Sequence, residues 1–145
     1  MVRRPDKYSC ITVRASRFLP PKGYFAITFF GRILIHRRNF GLWEAQKTTR
    51  SGQILLHHEW IHVKQAVSTH NSWLCSYLRY IYFYLKNRPL RYGSQFAYYA
   101  NPFEMEAYAH ENDLDYARTK PAEGWREYAK LTVEEKYDRF LKKIL

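Results

Sequence analysis

The chain has 145 residues, of which 46% are apolar, enough for one domain with one hydrophobic core; an intrinsically disordered chain is excluded. Its 24 Lys and Arg residues outnumber 13 Asp and Glu residues, which gives a formal net charge of +11. These basic residues form no run longer than two, so they do not favour a nucleic-acid partner, and an anionic membrane surface or an acidic substrate has a similar claim.

The sequence predicts a soluble protein of the cytoplasm. Its two cysteines, Cys10 and Cys75, have no Cys-x-x-Cys spacing and are expected to be reduced thiols. The basic N-terminus is not followed by the apolar segment of a secretory signal. The longest apolar run, residues 73–85, contains Arg79 and is short for a membrane span. It predicts a buried helix, with a helix lying on a membrane surface as the alternative.

Three β-rich segments predict a small antiparallel sheet at the N-terminus. They cover residues 10–15, 24–30 and 32–37. The second and third are rich in β-branched and aromatic residues and flank Gly31, which predicts a hairpin. Residues 39–52 are expected to form a loop.

The rest of the chain predicts helices. Ser51 is a suitable N-cap for a helix over residues 53–68, and a second helix is expected over residues 72–86. Asn101 and Pro102 are a typical helix start, with Asn as the cap, for a third helix that reaches about residue 118. The tail predicts one or two short helices, the last over residues 133–144. We therefore expect a single α+β domain, residues 1–145, in which helices dominate.

The stretch His58-Glu59-Trp60-Ile61-His62 has the pattern His-Glu-x-x-His inside a predicted helix. Residues four apart lie on one helical face, so both imidazoles can point at one metal ion. Glu59 projects about 100° around the helix from His58, which places it beside the metal. The pattern predicts one zinc ion bound by His58 and His62, and the alternative is a pair of ordinary helix histidines.

A catalytic zinc has three protein ligands and one open position, so a third ligand must come from elsewhere in the chain. The third predicted helix is rich in carboxylates, and its expected core stripe consists of Phe103, Ala107, His110 and Leu114. Glu104 lies on one side of that stripe and Glu106 on the other. Helical geometry alone does not choose between these two carboxylates, and both are also compatible with an exposed acidic face.

HHEWIHVKQ, followed about forty residues later by NPFEMEAYAHE, resembles small bacterial proteins related to the gluzincin metallopeptidases. The resemblance covers residues 24–116 in outline and is specific at these two motifs. It implies a zincin-like helical core with Glu104 as the third zinc ligand. Tyr108 stands where several of these families have an acidic or amide residue. The resemblance also implies an edge strand near residues 32–37 that pairs with an extended peptide substrate.

Those roles imply hydrolysis of peptide bonds. Zinc lowers the pKa of its bound water to about 7 and polarises the scissile carbonyl, and Glu59 would act as general base. Tyr108, Tyr98, Tyr99 and His110 are the candidates for stabilising the oxyanion, with Tyr108 the residue we select. Carboxylates that could accept the other N–H of a ligand histidine are Glu111 and Asp115.

Two alternatives to a peptidase remain from the sequence. The first is a regulatory protein that binds zinc without efficient turnover, and intact Glu59 weighs against it. The second is a basic nucleic-acid-associated protein with structural zinc. A structural site usually has a fourth protein ligand, so the set of residues around the metal distinguishes this alternative from a catalytic centre.

Overall fold

The computed structural model describes residues 12–88, 92–93, 95–118 and 121–145. Cys10 and the beginning of the first predicted strand lie outside the described residues. The described chain has the expected α+β architecture. Three strands, β1 (Thr12–Ser16), β2 (Ala26–Phe29) and β3 (Arg32–His36), are followed by a series of helices.

The predicted hairpin is confirmed, because β2 and β3 are antiparallel neighbours with Phe29 opposite Arg32. Phe30 and Gly31 form the two-residue turn and both have positive φ, 47° and 78°, as a tight hairpin requires. Inward-facing Ile33 and Ile35 of β3 are fully buried. The hairpin thereby attaches β2 to the core at a fixed register.

The sheet is mixed, so the prediction of a purely antiparallel sheet was wrong. Its order is β1-β3-β2, and β1 runs parallel to β3. Because the hairpin occupies one side of β3, β1 pairs with the other side. The expected edge strand at residues 32–37 is therefore the central strand. The edge strand next to the helices is β2, which contacts the helix that carries the His-Glu-x-x-His motif.

Helix α1 (Arg37–Gln46) occupies most of the region that was expected to be a loop. Its local signals are weak, since Gly41 lies in its middle, but the side chain of His36 accepts a hydrogen bond from the Arg38 N–H at 3.2 Å. Trp43 is buried against Ile33 and Ile35. Tertiary packing thus stabilises a helix whose own propensity is poor.

Helices α2 (Arg50–Ser68) and α3 (Trp73–Lys86) closely match the first two predicted helices, residues 53–68 and 72–86. The N-cap of α2 is Thr49 instead of the expected Ser51, and its hydroxyl accepts from the Gly52 N–H at 3.3 Å. Ser72 caps α3 in the same way through the Cys75 N–H. The His-Glu-x-x-His motif lies in the middle of α2, where the backbone is most firmly held.

A short helix, α4 (Phe96–Tyr99), precedes α5 (Pro102–His110). Asn101 caps α5 as predicted, since its side chain accepts from the Phe103 N–H. The helix ends well before the expected residue 118. Asp113 Oδ1 accepts from the Asp115 N–H at 3.2 Å and Ala117 has a φ of 58°. The Asp113 side chain thus satisfies a backbone N–H outside a helix, and the left-handed conformation of Ala117 cannot belong to a continuing α-helix.

The tail contains α6 (Trp125–Ala129), α7 (Val133–Lys136) and a π-helical turn, Tyr137–Leu141. The last predicted helix, residues 133–144, is thus a shorter α-helix that continues directly into the π-helical turn. Trp125 packs on Phe103 and Phe83, which joins the tail to α5 and α3. Among the described residues, no helix combines the length and the apolar character that crossing a bilayer demands.

Candidate metal centre

Helices α2 and α5 pack against each other and bring three of the predicted ligands together. Nε2 of His58 lies 3.3 Å from Oε2 of Glu104, and Nε2 of His62 lies 3.5 Å from the same oxygen. One ligand atom from each residue can be chosen so that all three lie within 4.8 Å of one another. His58 and Glu104 are buried. The three residues can hold a metal ion, and two neutral imidazoles with one carboxylate suit zinc.

The second nitrogen of each histidine is held by an acceptor. Nδ1 of His58 donates to Oε2 of Glu111 at 2.8 Å, and Nδ1 of His62 donates to Oε1 of Gln65 at 2.8 Å. In the neutral imidazoles these contacts favour the tautomer in which Nε2 has the lone pair that a metal ion needs. The predicted alternative partner, Asp115, instead contacts Arg118.

Glu104 is held from both of its oxygens. Oε1 accepts a hydrogen bond from the hydroxyl of Tyr80 at 2.8 Å, while Oε2 faces the two histidines. Tyr80 comes from α3, so three helices contribute to the orientation of one carboxylate. Burial raises the pKa of Tyr80, and the negative charge of Glu104 raises it further, so Tyr80 remains a donor at neutral pH.

The charges of the cluster are complementary even without a metal ion. Burial lowers the pKa of His58, but hydrogen bonds to Glu104 and Glu111 outweigh burial and raise that pKa to about 10. The pKa of His62 is likewise raised, by Glu104 against the effect of burial. Burial raises the pKa of Glu104, but the charge and hydrogen bonds of His62 and His58 lower it below its usual value. A cation can therefore replace the protons at this position.

Glu106, the other predicted candidate, lies away from the cluster. Its side chain is 0% exposed, and Oε1 accepts from the Tyr116 hydroxyl and the Gly124 N–H, each at 2.6 Å. Oε2 accepts from Nε2 of Gln65 at 2.8 Å. Gln65 also accepts a hydrogen bond from Nδ1 of His62. Glu106 therefore orients Gln65, which in turn orients the candidate ligand His62.

Glu59 lies beside the cluster, with its carboxylate turned toward β2. Oε2 of Glu59 accepts a hydrogen bond from the hydroxyl of Thr28, and the negative charge of Glu59 contributes to the raised pKa values of His58 and His62. The two Lys or Arg residues of α2 have other contacts. Lys64 lies over the Trp60 ring and Arg50 donates to the Asn112 carbonyl. Glu59 is therefore a buried carboxylate held by a strand.

Two cavities meet at Glu59. The first has a volume of about 330 Å³ and is bordered by Glu59, His62 and Glu104, with aromatic residues around them. The second, about 490 Å³, is bordered by Glu59, His58 and Glu111. Residues that border both cavities besides Glu59 are Tyr24, Ala26 and Tyr98. The cluster can thus be reached from two sides.

The tyrosines near the cluster differ in position. Tyr108 stacks its ring edge-on to His58, with centroids 4.6 Å apart, and its hydroxyl lies 3.3 Å from that of Tyr98. Burial raises the pKa of Tyr108 to about 12. Tyr98 borders both cavities, whereas Tyr108 borders only the second of the two. Tyr99 borders the second cavity, and His110 stacks on Tyr116.

Several residues of the site were not predicted from the sequence. Gln65 follows His62 by three positions, a helical spacing that could have indicated a partner for it. Thr28, Tyr24 and Tyr80 come from β2, the segment before it and α3, and only the tertiary fold brings them to the cluster. Comparisons of the chain with models of protein families, with curated proteins and with solved structures gave no match.

Proposed function

We propose that this protein is a zinc-dependent peptidase with a zincin-like core. The observation that carries the proposal is the convergence of His58, His62 and Glu104 within 4.8 Å, next to a buried carboxylate and two cavities. A catalytic site needs an open coordination position, and the cluster has three members among the described residues. This number favours catalysis over the structural zinc of a nucleic-acid-associated protein.

Zinc bound here would lower the pKa of a water molecule and polarise the scissile carbonyl. Glu59 would accept the proton of that water and transfer it to the leaving amine. The hydroxyl of Thr28 holds one oxygen of Glu59, which orients the carboxylate. Tyr98 or Tyr108 would donate a hydrogen bond to the developing oxyanion, and the position of Tyr98 between the cavities favours Tyr98.

Strand β2 is the best surface for the substrate backbone. In an antiparallel pair closed by a two-residue turn, Phe29 bonds to β3, so the N–H and carbonyl groups of Thr28 and Ala26 point to the other side. On that side the carbonyl of Thr28 accepts a hydrogen bond from the Tyr77 hydroxyl at 3.4 Å, which agrees with this direction of the backbone groups. Ala26 and Thr28 both border the first cavity, so a peptide paired with β2 would pass the cluster.

The first cavity suits a large apolar side chain of that peptide. Its walls include Trp73, Tyr77, Tyr84 and Phe103. Among the described residues, Nε1 of Trp73 is the one buried side-chain nitrogen or oxygen without a hydrogen-bond partner. A substrate side chain with an apolar body and an acceptor near its end would match this wall.

The experiment that tests the proposal combines metal analysis with peptide cleavage. We expect about one zinc per chain, lost in His62→Ala and kept in the control His70→Asn, which changes an exposed histidine. Glu59→Gln should retain zinc and fold but lose peptide hydrolysis by about 10²–10⁴-fold, because an amide cannot accept the proton.

Two results would contradict the proposal in different ways. Equal zinc content in the wild type and His62→Ala would exclude the metal centre. Stoichiometric zinc without cleavage of any peptide in a diverse library would leave the metal centre and support the regulatory, non-catalytic alternative. Activity retained by Glu59→Gln would exclude Glu59 as the general base.

A further inference from the structure

The outward face of α3 carries five large apolar side chains that are more than half exposed: Leu74 (51%), Leu78 (59%), Ile81 (53%), Tyr82 (58%) and Leu85 (56%). Their spacing of three to four residues, with Ile81 and Tyr82 adjacent, places them on one side of the helix. We call these five residues the α3 stripe. A contiguous apolar surface of this kind usually binds another surface.

The opposite face of the same helix is already used by the fold. Trp73 and Phe83 are buried in the core, and Tyr80 packs against Phe103 with parallel rings 6.3 Å apart. Helix α3 is therefore anchored to the protein by one face while the α3 stripe points to solvent. The stripe is not required for the packing of the described core.

The stretch of sequence that contains α3 has charged residues of one sign. Between Glu59 and Glu104 the sequence has no acidic residue and five basic ones: Lys64, Arg79, Lys86, Arg88 and Arg91. Lys86 and Arg88, at the end of α3, are exposed. Lys86 also lies over the ring of Tyr82, with its nitrogen 5.9 Å from the centroid, so apolar and basic groups adjoin.

The charge asymmetry extends beyond α3. Residues 1–103 contain 16 Lys and Arg residues against three acidic ones, whereas residues 104–145 contain eight against ten. The α3 stripe thus belongs to the strongly basic part of the chain. This excess of positive charge, with exposed Lys86 and Arg88 at the end of α3, complements an anionic surface.

We propose that the α3 stripe docks on an anionic lipid bilayer, with its apolar side chains in the interface and the basic residues against the headgroups. This arrangement has the large apolar residues and the flanking Lys and Arg residues typical of interfacial helices. A second copy of the chain would bring two surfaces of the same charge together, which is unfavourable. Lipid headgroups remove that repulsion.

Docking in this way would hold the first cavity close to the membrane. Tyr77, Tyr80 and Tyr84 of α3 border that cavity, so the helix that contacts lipid is also a wall of the candidate site. If the chain is the proposed peptidase, its substrates would include peptide segments at the membrane surface. The docking itself does not depend on peptidase activity.

The test is co-sedimentation of the full chain with vesicles of phosphatidylcholine alone or mixed with phosphatidylserine. We expect binding to the mixed vesicles and little to the neutral ones. Leu78→Ser combined with Ile81→Ser should weaken binding roughly a hundredfold, since two large apolar side chains no longer enter the interface. Lys86→Gln with Arg88→Gln should weaken binding about fivefold per charge.

The matched control is Leu42→Ser on α1, which changes a leucine that is also about half exposed, 51%, and should bind like the wild type. Circular dichroism checks that each variant is folded. The proposal is overturned if the wild type does not bind phosphatidylserine vesicles or if Leu78→Ser with Ile81→Ser binds as tightly as the wild type. A wild-type dimer that the same double substitution makes monomeric would overturn it in favour of self-association.

Discussion

Glu104 and Glu106 are two residues apart, yet their surroundings assign them different tasks. One oxygen of Glu104 accepts a hydrogen bond from the Tyr80 hydroxyl, and the other faces two histidines. A cation can therefore bind this second oxygen. Glu106 has three hydrogen-bond donors from Gln65, Tyr116 and Gly124. Both side chains are buried because α5 is enclosed on nearly all sides.

We predict that Glu104→Gln loses stoichiometric zinc, because an amide is a poor zinc ligand, while Glu106→Gln keeps it. The amide of Glu106→Gln would put an NH₂ group opposite either Gln65 or the Gly124 N–H. Such a conflict in the core should lower the free energy of unfolding by about 1–3 kcal/mol. Metal analysis and thermal unfolding of the two variants measure both effects. A Glu106→Gln protein that folds normally and lacks zinc would reverse the assignment.

The two histidines were predicted because their spacing is a local property of one helix. The choice of Glu104 came from the family resemblance, since the positions on α5 did not decide it. The reason for the difference is distant in the chain: Tyr116 and Gly124 approach Glu106 only after the chain turns at residues 111–118. The prediction of the core stripe was wrong at Leu114 for the same reason, because Leu114 lies beyond the end of α5 and is 37% exposed.

At the scale of the elements, the junction between α1 and α2 controls where the His-Glu-x-x-His helix begins. Gly52 lies in the first turn of α2, and a Cβ at this position would lie 2.2 Å from the Gln46 carbonyl oxygen and 2.8 Å from the Lys47 Cα. Both atoms are backbone, so they cannot move aside without displacing a helix. Gly41, in the middle of α1, has open space where a Cβ would go.

The two glycines therefore predict opposite effects of the same substitution. Gly52→Ala should lower the free energy of unfolding by about 1–3 kcal/mol through overpacking. Gly41→Ala should raise it by about 0.5–1 kcal/mol, because alanine favours the helix. Chemical denaturation of the two variants measures both changes. Stabilisation by Gly52→Ala would show that the two helices are not in close contact.

The elements that the sequence failed to predict are those that depend on distant contacts. Helix α1 forms because Trp43 packs on the sheet, and the parallel pairing of β1 needs the hairpin to occupy the other side of β3. The hairpin, the start of α5 and the span of α3 were predicted because Gly31, Asn101 and Ser72 act on their own neighbours. Local chemistry defined these boundaries, and tertiary packing defined the others.

At the scale of the whole molecule, Lys136 connects the tail to α3. Its side chain is 2% exposed and its Nζ donates to Oδ1 of Asn87 at 3.3 Å. Burial, together with the charge of Lys86, lowers the pKa of Lys136 to about 8. The protonated amine is thus less favourable in the folded protein than in the unfolded chain.

This depressed pKa predicts how stability changes with pH. Between pH 8 and the unfolded value of about 10.5 the unfolded chain binds more protons, so the contribution of Lys136 to stability rises with pH. Below pH 8 its cost is fully present. The free energy of unfolding of the wild type, measured relative to that of Lys136→Met, should therefore rise by roughly 1–2 kcal/mol from pH 7.5 to 10.5, solvent screening included.

Denaturant unfolding of both proteins across that pH range measures the shift. Comparing them cancels the titration of the many tyrosines, which the two proteins share. The lost hydrogen bond to Asn87 lowers the stability of Lys136→Met equally at every pH and does not affect the slope. A difference that stays constant with pH would show that Lys136 titrates normally.

The contacts of Glu106 have a consequence for the order in which the protein is completed. All three candidate ligands are present once the chain has been synthesised to residue 104, but Tyr116 and Gly124 come later. Until these two residues are present, the carboxylate of Glu106 lacks two of its three hydrogen-bond donors. Gln65, which accepts from His62, then donates to a carboxylate that is not itself held in place. The geometry at the cluster is thus completed by the segment of residues 116–124, and metal capture should follow the synthesis of that segment.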